Sequence, residues 1–90
     1  MRDAVIVSTA RTPIGRAYKG AFNATPGATL GALSLQAAVA RAGIDPAEVD
    51  DVLWGAALQQ GAQAGNIARQ VALRAGFPVT TSGMSRDRQC

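Results

Sequence analysis

A short apolar run, rich in β-branched residues, opens the chain at residues 4–9. Such a run is typical of a strand that is buried on both faces. The chain then passes through Pro13, Gly15 and Pro26, which interrupt regular structure and indicate a loop. The sequence therefore predicts a first buried strand followed by a long connection, and long ordered connections often carry function.

The next segment has the periodicity of a helix. Apolar residues recur at helical spacing over residues 30–42, which predicts a well-covered helix with Thr29 as its N-cap. Gly43 follows directly and suits the left-handed residue that ends a helix. The sequence Asp-Pro-Ala-Glu at 45–48 has the chemistry of a capping box with proline in the first position, which predicts one further helical turn.

Two more strands and one more helix are predicted in the second half. Residues 52–57 form an apolar run typical of a strand, in which Gly55 suggests a bulge or the close approach of another backbone. Asn66 is the predicted N-cap of a helix over residues 67–75, and residues 80–88 are the third predicted strand. Strands separated by helices in this way indicate an α/β fold with a parallel sheet and right-handed crossovers.

Composition and charge narrow the possible partners. The 90 residues can make one small domain, since their 48% hydrophobic content is ordinary for a globular core. They carry a net charge of +3, with eight arginines among the nine basic residues. This excess of positive charge is compatible with binding of an anionic ligand, and also with an ordinary solvated surface. The arginines are spread along the chain and aromatic residues make up 4%, which argues against a nucleic-acid partner.

The sequence also bears on the compartment. The first apolar run is too short for a signal peptide or a membrane span. A single cysteine cannot form an internal disulfide, so a reducing, cytoplasmic compartment is expected. Because no closing helix, turn or polar tail follows the third predicted strand, we expect the chain to be the N-terminal piece of a longer protein.

Cys90 is the candidate for chemistry, since it follows the third predicted strand. A cysteine reacts as its thiolate, which a helix N-terminus would favour; alternatively, Cys90 is a buried structural residue. The chain has no histidine, so it cannot supply a cysteine–histidine pair, and a zinc site is not expected. No glycine-rich phosphate-binding motif occurs.

The order of motifs along the whole chain resembles the thiolases, a family of acyl-CoA acyltransferases. The matching segments are, in order, residues 11–16, 19–22, 45–52, 54–55, 65–70, 75–78, 83–85 and 87–90. The resemblance implies a thiolase-like layered α/β sandwich, of which this chain is the first β-α-β-α-β portion. Residues 1–90 would then be part of the N-terminal domain and end at the nucleophile, with the rest of that domain and the C-terminal domain outside this chain.

The resemblance also implies a role for Cys90. In the family the cysteine at this position becomes acylated, and its backbone N–H donates to the oxyanion hole. The activating histidine and an acid/base cysteine would lie outside this chain. Coenzyme A and acyl-CoA are implied as substrates, with no permanently bound cofactor and no metal, and no residue that contacts coenzyme A can be assigned here.

Several alternatives stay open at this stage. Residues 16–23 resemble the degradative thiolases more than the biosynthetic type, which implies an enzyme that cleaves 3-ketoacyl-CoA with coenzyme A, in fatty acid metabolism. The alternatives are a biosynthetic acetoacetyl-CoA thiolase, a thiolase-like synthase, or a non-catalytic fragment or assembly subunit. A homodimer or homotetramer is expected from the resemblance. Arg86 departs from the family, which has an apolar residue there; an unpaired arginine in a buried strand is costly, so we expect either an acidic partner or looser packing.

Overall fold

The computed structural model describes residues 1–89. Within this range the chain forms two α-helices and a two-stranded parallel sheet. The elements are α1 (Gly27–Ala42), β1 (Asp51–Gly55), α2 (Ile67–Arg74) and β2 (Ser82–Arg86), with single 3₁₀ turns at Pro46–Glu48 and Gly61–Gln63. Strand β1 pairs in parallel with β2, and α2 forms the connection between them. The predicted alternation of helices and strands after the long connection is confirmed, and so is the α/β fold class.

The predicted first strand is wrong. Residues 4–9 form no strand, and Val5, Ile6 and Val7 are 74%, 87% and 70% exposed. A strand is held by backbone hydrogen bonds to a neighbouring strand, and within residues 1–89 the two strands pair with each other rather than with this segment. The segment is held instead near its end, where Arg41 donates a hydrogen bond of 2.8 Å to the carbonyl oxygen of Thr9.

Helix α1 starts earlier than its pattern predicts. The carbonyl oxygen of Pro26 accepts hydrogen bonds from the N–H groups of Thr29 and Leu30 at 3.0 and 3.2 Å, which places Pro26 at the N-cap and Thr29 inside the first turn. No side chain caps this end. The predicted end is confirmed, because Gly43 has the left-handed conformation with φ 69° and donates to the last carbonyls of the helix.

The predicted capping box is also confirmed. The carboxylate of Asp45 accepts a hydrogen bond from Ala47 N–H at 3.0 Å, and Glu48 accepts one from Asp45 N–H at 3.2 Å. Both bonds link residues two or three positions apart, so this turn follows directly from the local sequence. It leads the chain from α1 into β1.

Both helices contribute to one core on one face of the sheet. The buried residues form two adjacent clusters, Val52, Ala68, Ala72 and Phe77, and Ala56, Ile67 and Val71. The opposite face carries Leu53 and Met84, which are partners across the two strands and are 68% and 45% exposed. Within residues 1–89 the helices therefore cover only one side of the sheet.

Two predictions about strand residues need correction. Gly55 has no atom within 4 Å of the position of an added Cβ and pairs regularly with Arg86, so it marks neither a bulge nor a close approach in the described chain. Arg86 is exposed. Because its side chain remains in contact with solvent, the expected cost of burying an arginine does not arise within this part of the chain.

Candidate functional site

The carboxyl ends of β1 and β2 form the candidate site, since ligands of parallel α/β sheets bind beyond these ends. Beyond the paired strands, Ala56 N–H donates to the carbonyl oxygen of Arg86 at 2.8 Å. The side chain of Gln89 then donates to the carbonyl oxygen of Ala57 at 2.8 Å. These bonds hold the chain that leaves β2 beside the chain that leaves β1. Cys90, the predicted nucleophile, is the next residue and lies outside the described residues.

The start of α2 lies at the same edge of the sheet, and Asn66 occupies the predicted N-cap position, but its side chain does not cap the helix. Asn66 has the left-handed conformation, with φ 54° and ψ 72°, and makes no capping bond with its side chain. The capping oxygen comes from β2, where the hydroxyl of Ser85 accepts a hydrogen bond from Ala68 N–H at 3.0 Å. Sequence reasoning missed this role, because Ser85 and Ala68 are 17 positions apart.

Asn66 instead links the helix start to β2. Its amide nitrogen donates to the carbonyl oxygen of Gly83 at 3.0 Å, and its amide oxygen accepts a hydrogen bond from the hydroxyl of Ser85 at 2.9 Å. The two ends of one amide group thus bind one strand at two alternate residues. The strand that leads toward Cys90 is fixed to the N-terminus of α2 by this side chain.

The backbones of α2 and β2 are also in direct contact. A methyl group on Gly83 would lie 2.8 Å from the backbone nitrogen of Arg69 and 3.0 Å from the carbonyl carbon of Ala68. Because both atoms belong to the backbone, any side chain at Gly83 would force α2 and β2 apart. Glycine is required here because of the packing, whereas the sequence alone had pointed to Gly55.

The arginine and glutamine of the 65–70 segment hold the loops around α2. Arg69 donates to the carbonyl oxygen of Thr81 and, with its other terminal nitrogen, to that of Val79 at 2.9 Å. Gln70 donates to the carbonyl oxygens of Ala64 and Gly65, both at 2.7 Å. These side chains therefore position backbone, and neither is free to serve as a reacting group.

A cleft of about 420 Å³ lies between the first loop, the start of α1 and the sheet. Its lining includes Leu30, Trp54 and Ile67, which are apolar, and Arg11, Thr12, Ser34 and Gln63, which are polar. The structure places Arg11, from the first loop, at this cleft.

No group of histidine, cysteine, aspartate or glutamate residues among residues 1–89 could hold a metal ion. Arg86, the last residue of β2, is exposed, and so are Asp87 and Arg88, which follow it. In the same described range, no helix has the length and apolar character needed to cross a membrane.

Comparison with known proteins identifies the family. The family model described as "Thiolase, N-terminal domain" matches residues 4–90 of this chain. The chain is 42% identical to the 3-ketoacyl-CoA thiolase of Saccharophagus degradans, over 99% of this chain and 23% of that protein. It is 43% identical to the acetyl-CoA acetyltransferase of Paracoccus denitrificans, over 100% of this chain and 22% of that protein.

The fold leads to the same family. The crystal structure of the Bacillus anthracis acetyl-CoA acetyltransferase superposes with a TM-score of 0.85 at 43% identity, over 96% of this chain and 21% of that chain. The chain thus spans less than a quarter of the length of the relatives it matches. The match nevertheless covers almost every residue of this chain, in sequence and in fold. The chain belongs to the thiolase family, since its residues 4–90 match the family model of the thiolase N-terminal domain.

Proposed function

We propose that residues 1–90 are the first part of the N-terminal domain of an acyl-CoA acyltransferase, in which Cys90 carries the acyl group. The observation that carries the proposal is the match to thiolases over residues 4–90, which extends to the cysteine itself. The hydrogen bonds at the carboxyl edge of the sheet support it, because they bring residue 89 to the edge where parallel α/β folds bind ligands.

The proposed reaction has two steps and an acyl-cysteine intermediate. The thiolate of Cys90 attacks the 3-keto carbon of a 3-ketoacyl-CoA, and the bond between carbons 2 and 3 breaks. Acetyl-CoA leaves as its enolate and takes up a proton. Coenzyme A then loses its thiol proton, attacks the thioester carbon and accepts the acyl group, which regenerates the thiolate of Cys90.

The residues of this chain would contribute the nucleophile and its placement. The backbone N–H of Cys90 would donate to the oxyanion that forms in the first step, and such donors contribute about 3 kcal/mol each to catalysis. The chain contains no histidine, so the base that forms the thiolate and the acid that protonates the enolate would come from outside these residues. Coenzyme A acts here as a substrate.

The condensation direction is the second candidate function. The chain is about equally similar to a 3-ketoacyl-CoA thiolase, at 42%, and to an acetyl-CoA acetyltransferase, at 43%. A preference for cleavage therefore rests on residues 16–23 alone. A non-catalytic assembly subunit would give a distinct outcome in the experiments below. A homodimer or homotetramer, a cytoplasmic location and a place in fatty acid metabolism stay predictions.

Acyl labelling of the whole protein tests the proposal. The purified protein is incubated with isotope-labelled acetyl-CoA, quenched in acid to preserve thioesters, digested and examined by mass spectrometry. We expect label on Cys90 and none on the Cys90→Ser variant prepared in parallel. Label on another residue, or no label, would contradict the nucleophile assignment.

A substrate series then separates the functional candidates. Thiolysis of 3-ketoacyl-CoA substrates of increasing chain length is compared with condensation of two acetyl-CoA molecules. Turnover of the longer substrates supports the degradative enzyme, and turnover restricted to acetoacetyl-CoA supports the biosynthetic type. A protein that is acylated by neither route would fit the non-catalytic alternative.

A further inference from the structure

We propose that Asn66 and Ser85 form a positioning pair that sets the placement of Cys90 for acylation. This inference rests on the proposed function, in which Cys90 is the nucleophile. Neither residue would touch the substrate. They would act through the strand that leads to Cys90, so they are positioning residues.

The first support is the completeness of the hydrogen bonding at this pair. The hydroxyl of Ser85 donates to the amide oxygen of Asn66 at 2.9 Å and accepts from Ala68 N–H at 3.0 Å. The amide nitrogen of Asn66 donates to the carbonyl oxygen of Gly83 at 3.0 Å. One hydroxyl and one amide therefore join a strand to the first turn of a helix, and each bond depends on the same strand register.

The second support is the backbone conformation of Asn66. Its φ of 54° lies in the left-handed region, which asparagine adopts more readily than other residues that carry a Cβ, and residues in this region cluster at functional sites. Asn66 follows Gly65, which also has positive φ at 73°. Two successive left-handed residues turn the chain so that the amide of Asn66 reaches β2, where it makes its two bonds.

The third support is the short path from the pair to the nucleophile. Ser85 precedes Cys90 by five positions. Over this stretch the Arg86 carbonyl is held by Ala56 N–H and the Gln89 side chain by the Ala57 carbonyl, both at 2.8 Å. The pair fixes the strand to α2, and the other two bonds fix its continuation to β1. Because a displacement of about 1 Å at a reacting atom can cost about 100-fold in rate, this anchoring bears on the chemistry.

The test measures how fast Cys90 is acylated in the whole protein. Ser85→Ala removes the hydroxyl, and Ser85→Thr retains one. Asn66→Gly removes the amide while keeping a residue that tolerates the left-handed conformation, so it serves if Ser85→Ala fails to fold. Ser82→Ala is the matched control, since Ser82 lies on the same strand but bonds to Asp51 at 2.8 Å.

We expect Ser85→Ala and Asn66→Gly to lower the single-turnover acylation rate per folded enzyme by about 10- to 100-fold. We expect KM for the acyl-CoA to change by less than about twofold, because neither residue would touch the substrate and its binding would be unaltered. Ser85→Thr should restore most of the rate, and Ser82→Ala should match the wild type. A purely structural role would lower the thermal midpoint but would not lower the acylation rate per folded enzyme at an unchanged KM.

The outcomes separate the two proposals. Acylation of wild-type Cys90 with equal rates in all folded variants overturns the positioning pair and leaves the proposed function intact. Absence of acylation in the wild type overturns the proposed function and the pair with it. Equal rate losses in Ser82→Ala and Ser85→Ala would also overturn the pair, because the effect would then belong to the strand in general.

Discussion

The backbone of Gly83 on β2 lies directly against the backbone of Arg69 in α2. A methyl group on Gly83 would come within 2.8 Å of the Arg69 nitrogen, which is too close for nonbonded carbon and nitrogen atoms, so the structure would have to shift to accommodate it. The contact sets how closely α2 approaches the sheet. It also permits the hydrogen bonds from Asn66 and Ala68 to β2, which span about 3.0 Å each.

Gly83→Ala should therefore destabilise the protein. The methyl group meets backbone atoms, which cannot rotate away, so α2 and β2 must separate. We expect a loss of about 1–3 kcal/mol, the usual cost of overpacking, measured as a lower thermal midpoint of the whole protein. Gly55→Ala is the control, because no atom lies within 4 Å of its added methyl group. A control that is destabilised as much as Gly83→Ala would refute this explanation.

Gly31→Ala tests the contact between the two helices. Its added methyl group would lie 2.6 Å from Cγ2 of Val71 and 3.0 Å from Cζ2 of Trp54. Alanine favours a helix over glycine by about 1 kcal/mol, but overpacking costs about 1–3 kcal/mol. We expect a net loss of stability in thermal or urea unfolding.

A second substitution identifies the cause of that loss. Val71→Ala leaves space in the buried core, where Val71 is 0% exposed. The double variant Gly31→Ala/Val71→Ala should be more stable than the sum of the single effects predicts. The methyl group added at position 31 would occupy the space that the shortened side chain at position 71 leaves. Strict additivity would show that the two residues do not interact.

Arg69→Lys should weaken the loop that precedes β2. The guanidinium of Arg69 donates to two carbonyl oxygens, those of Thr81 and Val79, through different nitrogens. An ammonium group is a single point and cannot reproduce this fork. We expect a loss of about 1–3 kcal/mol, because a carbonyl near the buried Thr81 loses its donor.

The control for this variant lies on the same helix. Arg74 is in the last turn of α2 and is exposed. Arg74→Lys keeps the positive charge at the C-terminal end of the helix and should leave the thermal midpoint unchanged. Equal midpoints for Arg69→Lys and the wild type would show that the two carbonyl bonds contribute nothing to stability.

Local sequence predicted the features whose partners are a few residues apart. The capping box of Asp45 and Glu48 joins residues three positions apart, and the left-handed Gly43 closes a helix by bonds to Val39 and Ala40. Such interactions depend on side-chain chemistry and backbone conformation alone. The ordered motifs that resemble the thiolases likewise lie in the sequence, and the family match over residues 4–90 confirms them.

Tertiary structure decided the features whose partners are distant along the chain. Residues 4–9 have the pattern of a buried strand, but a strand also needs a neighbour to bond with, and none pairs with them within residues 1–89. Asn66 has the residue type of an N-cap, yet Ser85 supplies the capping oxygen from 17 positions away. A local pattern states what a segment can do, whereas packing determines which distant group is close enough to bond with it.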